Sequence, residues 1–282
     1  MRFGANDVKK LLAAHGIKTS KSMGQNFLID ANIPEKIVKL SGIDKSCGVL
    51  EVGPGLGALT FELNRAAGHV TAVELDARLI PVLQATFAEQ PNVSIVQGDI
   101  LKLDIKKLID DTMPGLNHHV CANLPYNITT PAIAAFIESA AFTSITVMVQ
   151  KEVALRICAK PGSPDYGAFS VYTNYHAVPE ILFDVSPESF TPRPKVVSSV
   201  IRMNKRAERL LDTEDEKTCF NVVRAAFGQR RKTLVNALHA VFGEIHSKEA
   251  IAAIVTNCGL DARVRGEVLS VEEFVKLSSF FK

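Results

Sequence analysis

Asn123-Leu124-Pro125-Tyr126 is the stretch whose residue types and order have an identifiable chemical use. It closes an apolar run, His118-His119-Val120-Cys121-Ala122, that reads as a buried strand. The Asn123 side-chain oxygen and the carbonyl of Leu124 or Pro125 are acceptors placed side by side. An exocyclic amine on a flat heterocycle has two N–H donors that can point at such a pair. Tyr126 offers a ring face on which the heterocycle can stack. Taken alone, the four residues also describe an ordinary strand-to-loop turn, and that plainer reading leads until the rest of the chain is considered.

Glu51-Val52-Gly53-Pro54-Gly55-Leu56-Gly57 follows a first strand and opens a first helix. The alternate glycines let the backbone turn sharply and approach a ligand. Their spacing is Gly-x-Gly-x-Gly rather than Gly-x-Gly-x-x-Gly, which disfavours NAD or FAD. Two acids sharpen the signal. Glu74 closes the second strand about 20 residues after the glycines, where a carboxylate can accept from both ribose hydroxyls. Asp99 follows Gly98 at the end of the third strand, where it can accept from an adenine amine. Asp76 and Asp99 also suit helix N-caps. The glycines, Glu74, Asp99 and Asn123 nonetheless fall at the carboxyl ends of four successive strands, the edge where open α/β sheets bind ligands.

The elements that must position these residues follow from the apolar pattern. Strands are predicted over 48–52, 70–75, 93–97, 120–123, 145–150, 180–185 and 198–203. Helical segments lie between them, one over 58–67 ending at Gly68 as a C-terminal glycine and one opening at Thr130-Pro131. Asn6 or Asp7 caps a short helix ending at Gly16. Alternation with short connections implies an α/β fold, a seven-stranded mostly parallel sheet with helices on both faces. After Met203 only helices are predicted, over 214–226, 233–241, 248–257 and 271–281. Thr213-x-x-Glu216 and Ser270-x-x-Glu273 are capping-box candidates there. A boundary near Asn204 therefore divides a 1–204 domain with an N-terminal arm from a small all-helical 205–282 domain.

The 282 residues, 47% hydrophobic and 22% charged, are ordinary for a globular chain. Cys47, Cys121, Cys158, Cys219 and Cys258 are dispersed, with no Cys-x-x-Cys pair, so no disulfide framework or zinc site is suggested and no metal is expected. A reducing, cytoplasmic compartment fits, and no apolar run reaches membrane-spanning length. The net charge of +2 does not announce nucleic-acid binding. Any such contact must come from local clusters: Lys18/Lys21, Arg193/Lys195, Arg202/Lys205/Arg206/Arg209 and Arg230-Arg231-Lys232.

Further motifs run along nearly the whole chain. They include Gly24-Gln25-Asn26-Phe27-Leu28, Val73-Glu74-Leu75-Asp76, Gln150-Lys151-Glu152-Val153, Phe190-Thr191-Pro192-Arg193-Pro194-Lys195-Val196 and Phe227-Gly228-Gln229-Arg230-Arg231-Lys232-Thr233-Leu234. With these in view the chain resembles the S-adenosylmethionine-dependent ribosomal RNA adenine N6,N6-dimethyltransferases. Within them it resembles most the small-subunit branch, which dimethylates two adjacent adenosines in a hairpin near the 3′ end of 16S rRNA. The resemblance implies a Rossmann-like fold, S-adenosyl-L-methionine as cofactor, an immature 30S-type particle as partner, a role in small-subunit biogenesis, and a monomer without membrane attachment.

Residue roles follow from the resemblance. Asn26 and Leu28 would contact the cofactor from the arm, Gly53 and Gly55 would line its methionine end, Glu74 its ribose, and Asp99 with Ile100 its adenine. Asn123 would bridge cofactor and target amine, with Leu124 and Pro125 completing the acceptor motif. Tyr126 and Phe190 would stack on opposite faces of the target base. Two other readings stand beside this one: a large-subunit rRNA adenine dimethyltransferase conferring antibiotic resistance, and a non-catalytic ribosome assembly factor.

Overall fold

A computed structural model describes residues 4–17, 25–208, 210–229 and 231–281. Lys18, Lys21, Gly24, Arg209 and Arg230 lie outside the described residues. The chain forms two compact units, residues 1–154 with 180–205 and residues 155–179 with 206–282. The division expected near Asn204 falls at the later crossing between them. The segment 155–179, expected in the first domain, belongs to the second unit, because Tyr166, Val171 and Tyr175 enter that unit's apolar core.

In chain order the elements are α1 (Ala5–Ala14), β1 (Phe27–Leu28), α2 (Asn32–Ser41), β2 (Cys47–Val52), α3 (Ala58–Ala66), β3 (His69–Glu74), α4 (Ile80–Thr86) and β4 (Val93–Gln97). They continue with α5 (Ile105–Thr112), β5 (Asn117–Asn123), α6 (Thr129–Glu138), β6 (Ser144–Gln150), α7 (Lys151–Ile157), α8 (Ala168–His176), β7 (Ala177–Val185), β8 (Phe190–Thr191) and β9 (Ser198–Lys205). The chain closes with α9 (Thr213–Gly228), α10 (Leu234–Phe242), α11 (Lys248–Asn257) and α12 (Val271–Ser278).

The first unit is built on a seven-stranded sheet in the order β4-β3-β2-β5-β6-β9-β7. Strands β2 to β6 run parallel, and β9 runs antiparallel to β6. Each of the seven predicted strands is present, with ends within three residues of those expected. Such strands are legible because parallel strands buried on both faces are continuously apolar; every residue of β2 is buried. Alternation along β3 separates the two faces. Val70 packs with Val49, Cys121 and Met148 beneath Ile37 of α2 and Leu63 of α3. The next residue, Thr71, turns the other way and donates to the Thr112 hydroxyl at the end of α5, 2.8 Å away.

A second, two-stranded sheet was not expected. β1 pairs antiparallel with β8, matching Leu28 with Phe190 and Phe27 with Thr191. Two residues per strand are too few to show a period. Gly68 also departs from its expected role. It does not cap α3 in a left-handed conformation; a Cβ there would meet the Lys45 carbonyl oxygen at 2.4 Å, so the position is set by close backbone approach. Asp7 is not a cap either but sits in the first turn of α1 and accepts from the Gly4 amide at 3.3 Å.

In the second unit, α8 to α12 bury Tyr166, Val222, Leu234, Leu238, Ile251 and Phe274 together. The Ser270 and Glu273 side chains cap α12 reciprocally, as expected. At α9 the cap is Asp212, whose carboxylate accepts from the Asp215 amide at 3.0 Å, and not Thr213. Among the described residues no helix is long and apolar enough to cross a membrane. The buried Tyr166 hydroxyl donates to the Leu269 carbonyl at 2.9 Å. Tyr166→Phe leaves that carbonyl without its donor and is expected to lower stability by about 1–2 kcal/mol in chemical denaturation of the full chain.

Candidate active site

The carboxyl ends of β2, β3, β4 and β5, together with the arm around β1, line one cleft. The sheet register brings them there. Val52 pairs with Val73, Glu74 with Gln97 and Leu50 with Val120, so the residues that follow each strand emerge at one edge.

The floor is the loop after β2. Gly53 has φ +69°, and a Cβ on it would touch the Pro125 ring at 3.4 Å, so the glycine loop abuts the Asn123 motif. Gly55 has φ +61°, and a Cβ there would press on the Phe27 ring at 3.1 Å. Both positions need a left-handed backbone and space at once, which only glycine supplies. The Gly55 amide donates to Glu74 Oε2 at 3.1 Å, and the Asp76 amide donates to Glu74 Oε1 at 2.9 Å. A carboxylate has about four lone-pair sites, so each Glu74 oxygen keeps one for a ligand hydroxyl. Burial pushes the Glu74 carboxyl up, the amides of Asp76 and Gly55 pull it back, and the neighbouring Asp76 charge raises it.

The next wall follows β4. Asp99 Oδ1 accepts from the Leu101 amide at 3.1 Å, and Oδ2 lies 3.6 Å from Lys102 Nζ. Asp99 thus shapes an Asx turn and caps no helix. Ile100 is buried in the cleft wall, whereas Leu75 and Leu101 line it with 56% and 41% of their surface exposed. Two exposed leucines, each within two residues after a site acid, make an apolar slot suited to a flat ring.

The third wall is the Asn123 motif. Asn123 Nδ2 donates to the Asn26 carbonyl at 3.4 Å, which sets the orientation of the carboxamide and leaves Oδ1 as an acceptor. The Pro125 carbonyl already accepts from the Ile128 amide at 3.1 Å and the Thr129 hydroxyl at 3.3 Å. Of the two backbone carbonyls weighed as Asn123's companion, Leu124 is therefore the one left free among the described residues. Tyr126 is half-buried at the cleft, its hydroxyl 2.7 Å from Ser198 Oγ. Burial raises the Tyr126 pKa, and the Ser198 hydrogen bond opposes it.

The arm closes the last side. Gln25, Asn26, Phe27 and Leu28 all line the cleft. Gln25 Nε2 donates to Asp76 Oδ2 at 2.8 Å, and Arg78 grips the same carboxylate through Nε at 2.9 Å and a terminal nitrogen at 2.7 Å. The Arg78 hydrogen bonds hold the Asp76 carboxyl down at about 2, against the effect of burial. Phe190 stands apart from the other expected site residues. Its side chain is 3% exposed, packed with Leu28, Val185 and Val200, and it does not line the cleft.

Five residues of the site escape the sequence pattern. Leu75 and Leu101 read in the sequence only as apolar residues near acids. Gln25 and Asp76 meet across 51 positions, which no local pattern encodes. Glu51 also lines the cleft. It is 1% exposed, and its Oε2 has no hydrogen-bond partner. Burial pushes its carboxyl up to about 8, Thr60 pulls it back only in part, and the Glu74 charge adds to the rise.

The family profile for ribosomal RNA adenine dimethylases matches residues 16–281. The chain belongs to the ribosomal RNA adenine dimethylases. Relatives in this family include ribosomal RNA small subunit methyltransferase A of Shouchella clausii, 46% identical over 95% of this chain and 91% of the relative. The protein of the same name from Clostridioides difficile is 43% identical over 97% of this chain and 94% of its own length. Among solved structures, a dimethyladenosine transferase from Plasmodium falciparum superposes with a TM-score of 0.76 at 25% identity, covering 90% of this chain and 97% of that one. The 23S rRNA methyltransferase ErmE gives a TM-score of 0.72 at 24% identity, covering 90% and 98%, which bears on the fold alone. The protein is thus a member of an adenine dimethylase family with a Rossmann-like, seven-stranded α/β sheet and a helical C-terminal region.

Two outcomes follow from the site geometry. Asp76→Ala removes the hydrogen bond that Gln25 donates to it, and the Phe27, Leu28 and Ile29 amides are expected to exchange with deuterium at least about 10-fold faster; unchanged protection removes Asp76 as the tether of the arm. Glu51 has a folded-state pKa of about 8, above its ordinary 4.5, so its contribution to stability falls as pH rises across that interval. Glu51→Gln should therefore melt higher than the parent at about pH 8.5, with the gap closing below about pH 4.5.

Proposed function

We propose that the protein transfers methyl groups from S-adenosylmethionine to the N6 amines of two adjacent adenosines near the 3′ end of small-subunit rRNA, giving N6,N6-dimethyladenosine. Family membership supports the reaction class, and the small-subunit name carried by the relatives supports the substrate. The observation that carries the chemistry is the acceptor pair of Asn123 Oδ1 and the Leu124 carbonyl, held beside the glycine loop by the contact between Gly53 and Pro125.

The cleft fits the cofactor. Glu74 keeps lone pairs for two ribose hydroxyls, and Asp99, Ile100 and the exposed Leu75 and Leu101 suit an adenine ring. Gly53 and Gly55 leave the floor open for the methionine portion, while Asn26 and Leu28 close over it from the arm. When bound, the cofactor supplies an electrophilic methyl group on a sulfonium.

This chain's residues do the rest by positioning. Adenine N6 is a weak nucleophile because its lone pair is delocalised into the ring. Asn123 Oδ1 and the Leu124 carbonyl accept both N–H bonds on one side, which favours a pyramidal nitrogen with its lone pair on the other. Among the described residues lining the cleft there is no His, Cys or Lys. Orientation is asked to supply the acceleration, and it can contribute several kcal/mol. The methylated cation is strongly acidic and yields its proton to water. Tyr126 offsets part of the cost of unstacking the target base. The stacking role expected of Phe190 requires its ring to come forward from behind Leu28 when RNA binds; Tyr126 requires no such move.

Several of the basic residues are already engaged. Arg193 pairs with Glu188, Arg202 with Glu180 at 2.8 Å, and Arg206 donates to the Asn174 carbonyl at 2.8 Å. Arg231, Lys232 and Lys195 make no ion pair among the described residues, and we assign them to the RNA phosphates of an immature small subunit, approached by a monomer. Large-subunit methylation draws only on likeness of fold, and a purely non-catalytic assembly role leaves the cleft unexplained.

Methyl transfer to immature small subunits, with mass mapping of the modified nucleotides, tests the substrate. Asn123→Ala is expected to lower transfer by about 100-fold or more while calorimetric cofactor affinity stays within a few-fold. Tyr126→Ala should lower turnover on RNA by about 10-fold with the fold intact. Near-normal transfer by the Asn123 variant would sink the mechanism.

A further inference from the structure

Three carboxyl side chains gather behind the glycine loop, and two of them are provided for. Glu74 has an amide on each oxygen, and Asp76 has Gln25 and Arg78. Glu51 differs. It is the penultimate residue of β2, two residues before Gly53, is buried in the cleft wall, and has an oxygen without a hydrogen-bond donor. The titratable groups facing it are Glu74 on β3 and Cys121 on β5, and the residue facing it from α3 is Thr60. None is a cation. An ionised carboxylate in such a place is uncompensated, which costs far more than a neutral acid. Burial and the Glu74 charge agree with that argument, raising the Glu51 carboxyl to about 8.

The side chain therefore has the properties of a socket awaiting positive charge. S-adenosylmethionine carries positive charge on its sulfonium and on its amino group, and the reading above lays that end along Gly53. We propose that Glu51 is a neutral acid in the open cleft and releases its proton to solvent when the cationic cofactor enters, becoming the counter-charge of that cation. This rests on the proposed cofactor reading. On binding, the Glu51 O–H bond breaks and the proton passes to buffer. Methyl transfer removes the sulfonium charge, and as the neutral thioether product leaves, the carboxylate takes a proton back from solvent. The proton shed by adenine N6 is separate from this cycle. Cofactor capture is thereby tied to pH, with affinity rising from neutral to mildly alkaline conditions as the proton to be expelled becomes scarcer.

Calorimetric titration of the full chain with S-adenosylmethionine, in two buffers of different ionisation heat, counts the protons exchanged. The measurement is made on the parent and on Glu51→Gln; the cofactor's own titration is common to both and cancels. At pH 7 the parent is expected to release close to one proton more per cofactor than the variant, and the difference should vanish by about pH 9.5, where Glu51 is already ionised. Equal proton counts overturn the proposal. An infrared difference spectrum of the parent gives the same answer if the variant misfolds: the protonated-carboxyl band should disappear on titration, and its persistence is equally fatal. Absence of any binding heat or spectral change in the parent overturns the cofactor reading itself, and is told apart from a Glu51 failure because no complex forms.

Discussion

The parallel register of β2 with its neighbours is the constraint on which the rest depends. In a parallel sheet every strand delivers its carboxyl end to the same edge, and the pairing fixes how far along that edge each delivery falls. β2 sits between β3 and β5, and β3 lies against β4. The glycine loop, Glu74, Asp99 and Asn123 therefore meet although they are spread over residues 53–123. A slip of one residue in any pair would turn the side chains that line the cleft into the sheet's other face. The apolar rows formed by Val49, Val70, Cys121 and Met148 oppose such a slip, so the packing of the core and the geometry of the site are enforced by the same contacts.

Environment then gives like residues unlike characters. Glu51, Glu74 and Asp76 are all buried carboxyls within one small region. Asp76 is held ionised by Arg78, Glu74 is shaped by two backbone amides, and Glu51 is left to desolvation. Among the described residues, Arg78 grips the carboxylate that holds the arm and pairs with neither Glu74 nor Glu51. That choice keeps cationic side chains away from the place where a positively charged ligand would have to sit.

Much of this was legible in the chain. The seven strands are apolar runs bounded by turn residues, and the glycines, Glu74, Asp99 and Asn123 stood out because each follows such a run. What escaped depends on contacts between distant segments. The β1 and β8 pair has no period to read. Helix α8 falls between two strands of the sheet in sequence, yet its Val171 and Tyr175 lie in the core of the second unit. Gly68 and Gly57 are the same letter, yet one answers a backbone approach and the other a left-handed turn. Asp212 displaced Thr213 at the start of α9 because the two neighbouring residues are both good caps and only the geometry of the preceding loop chooses between them.

Leu28 and Phe190 occupy one matched pair of positions in the short ribbon and share one apolar cluster. Neither side chain can change volume without the other giving or taking space. The arm that covers the cleft and the segment that follows β7 are therefore a single heritable unit, though most of the first unit's sequence lies between them. A graft that took the arm from one relative and the Phe190 segment from another would set two unmatched halves face to face. A change of volume at one would call for a compensating change at its companion.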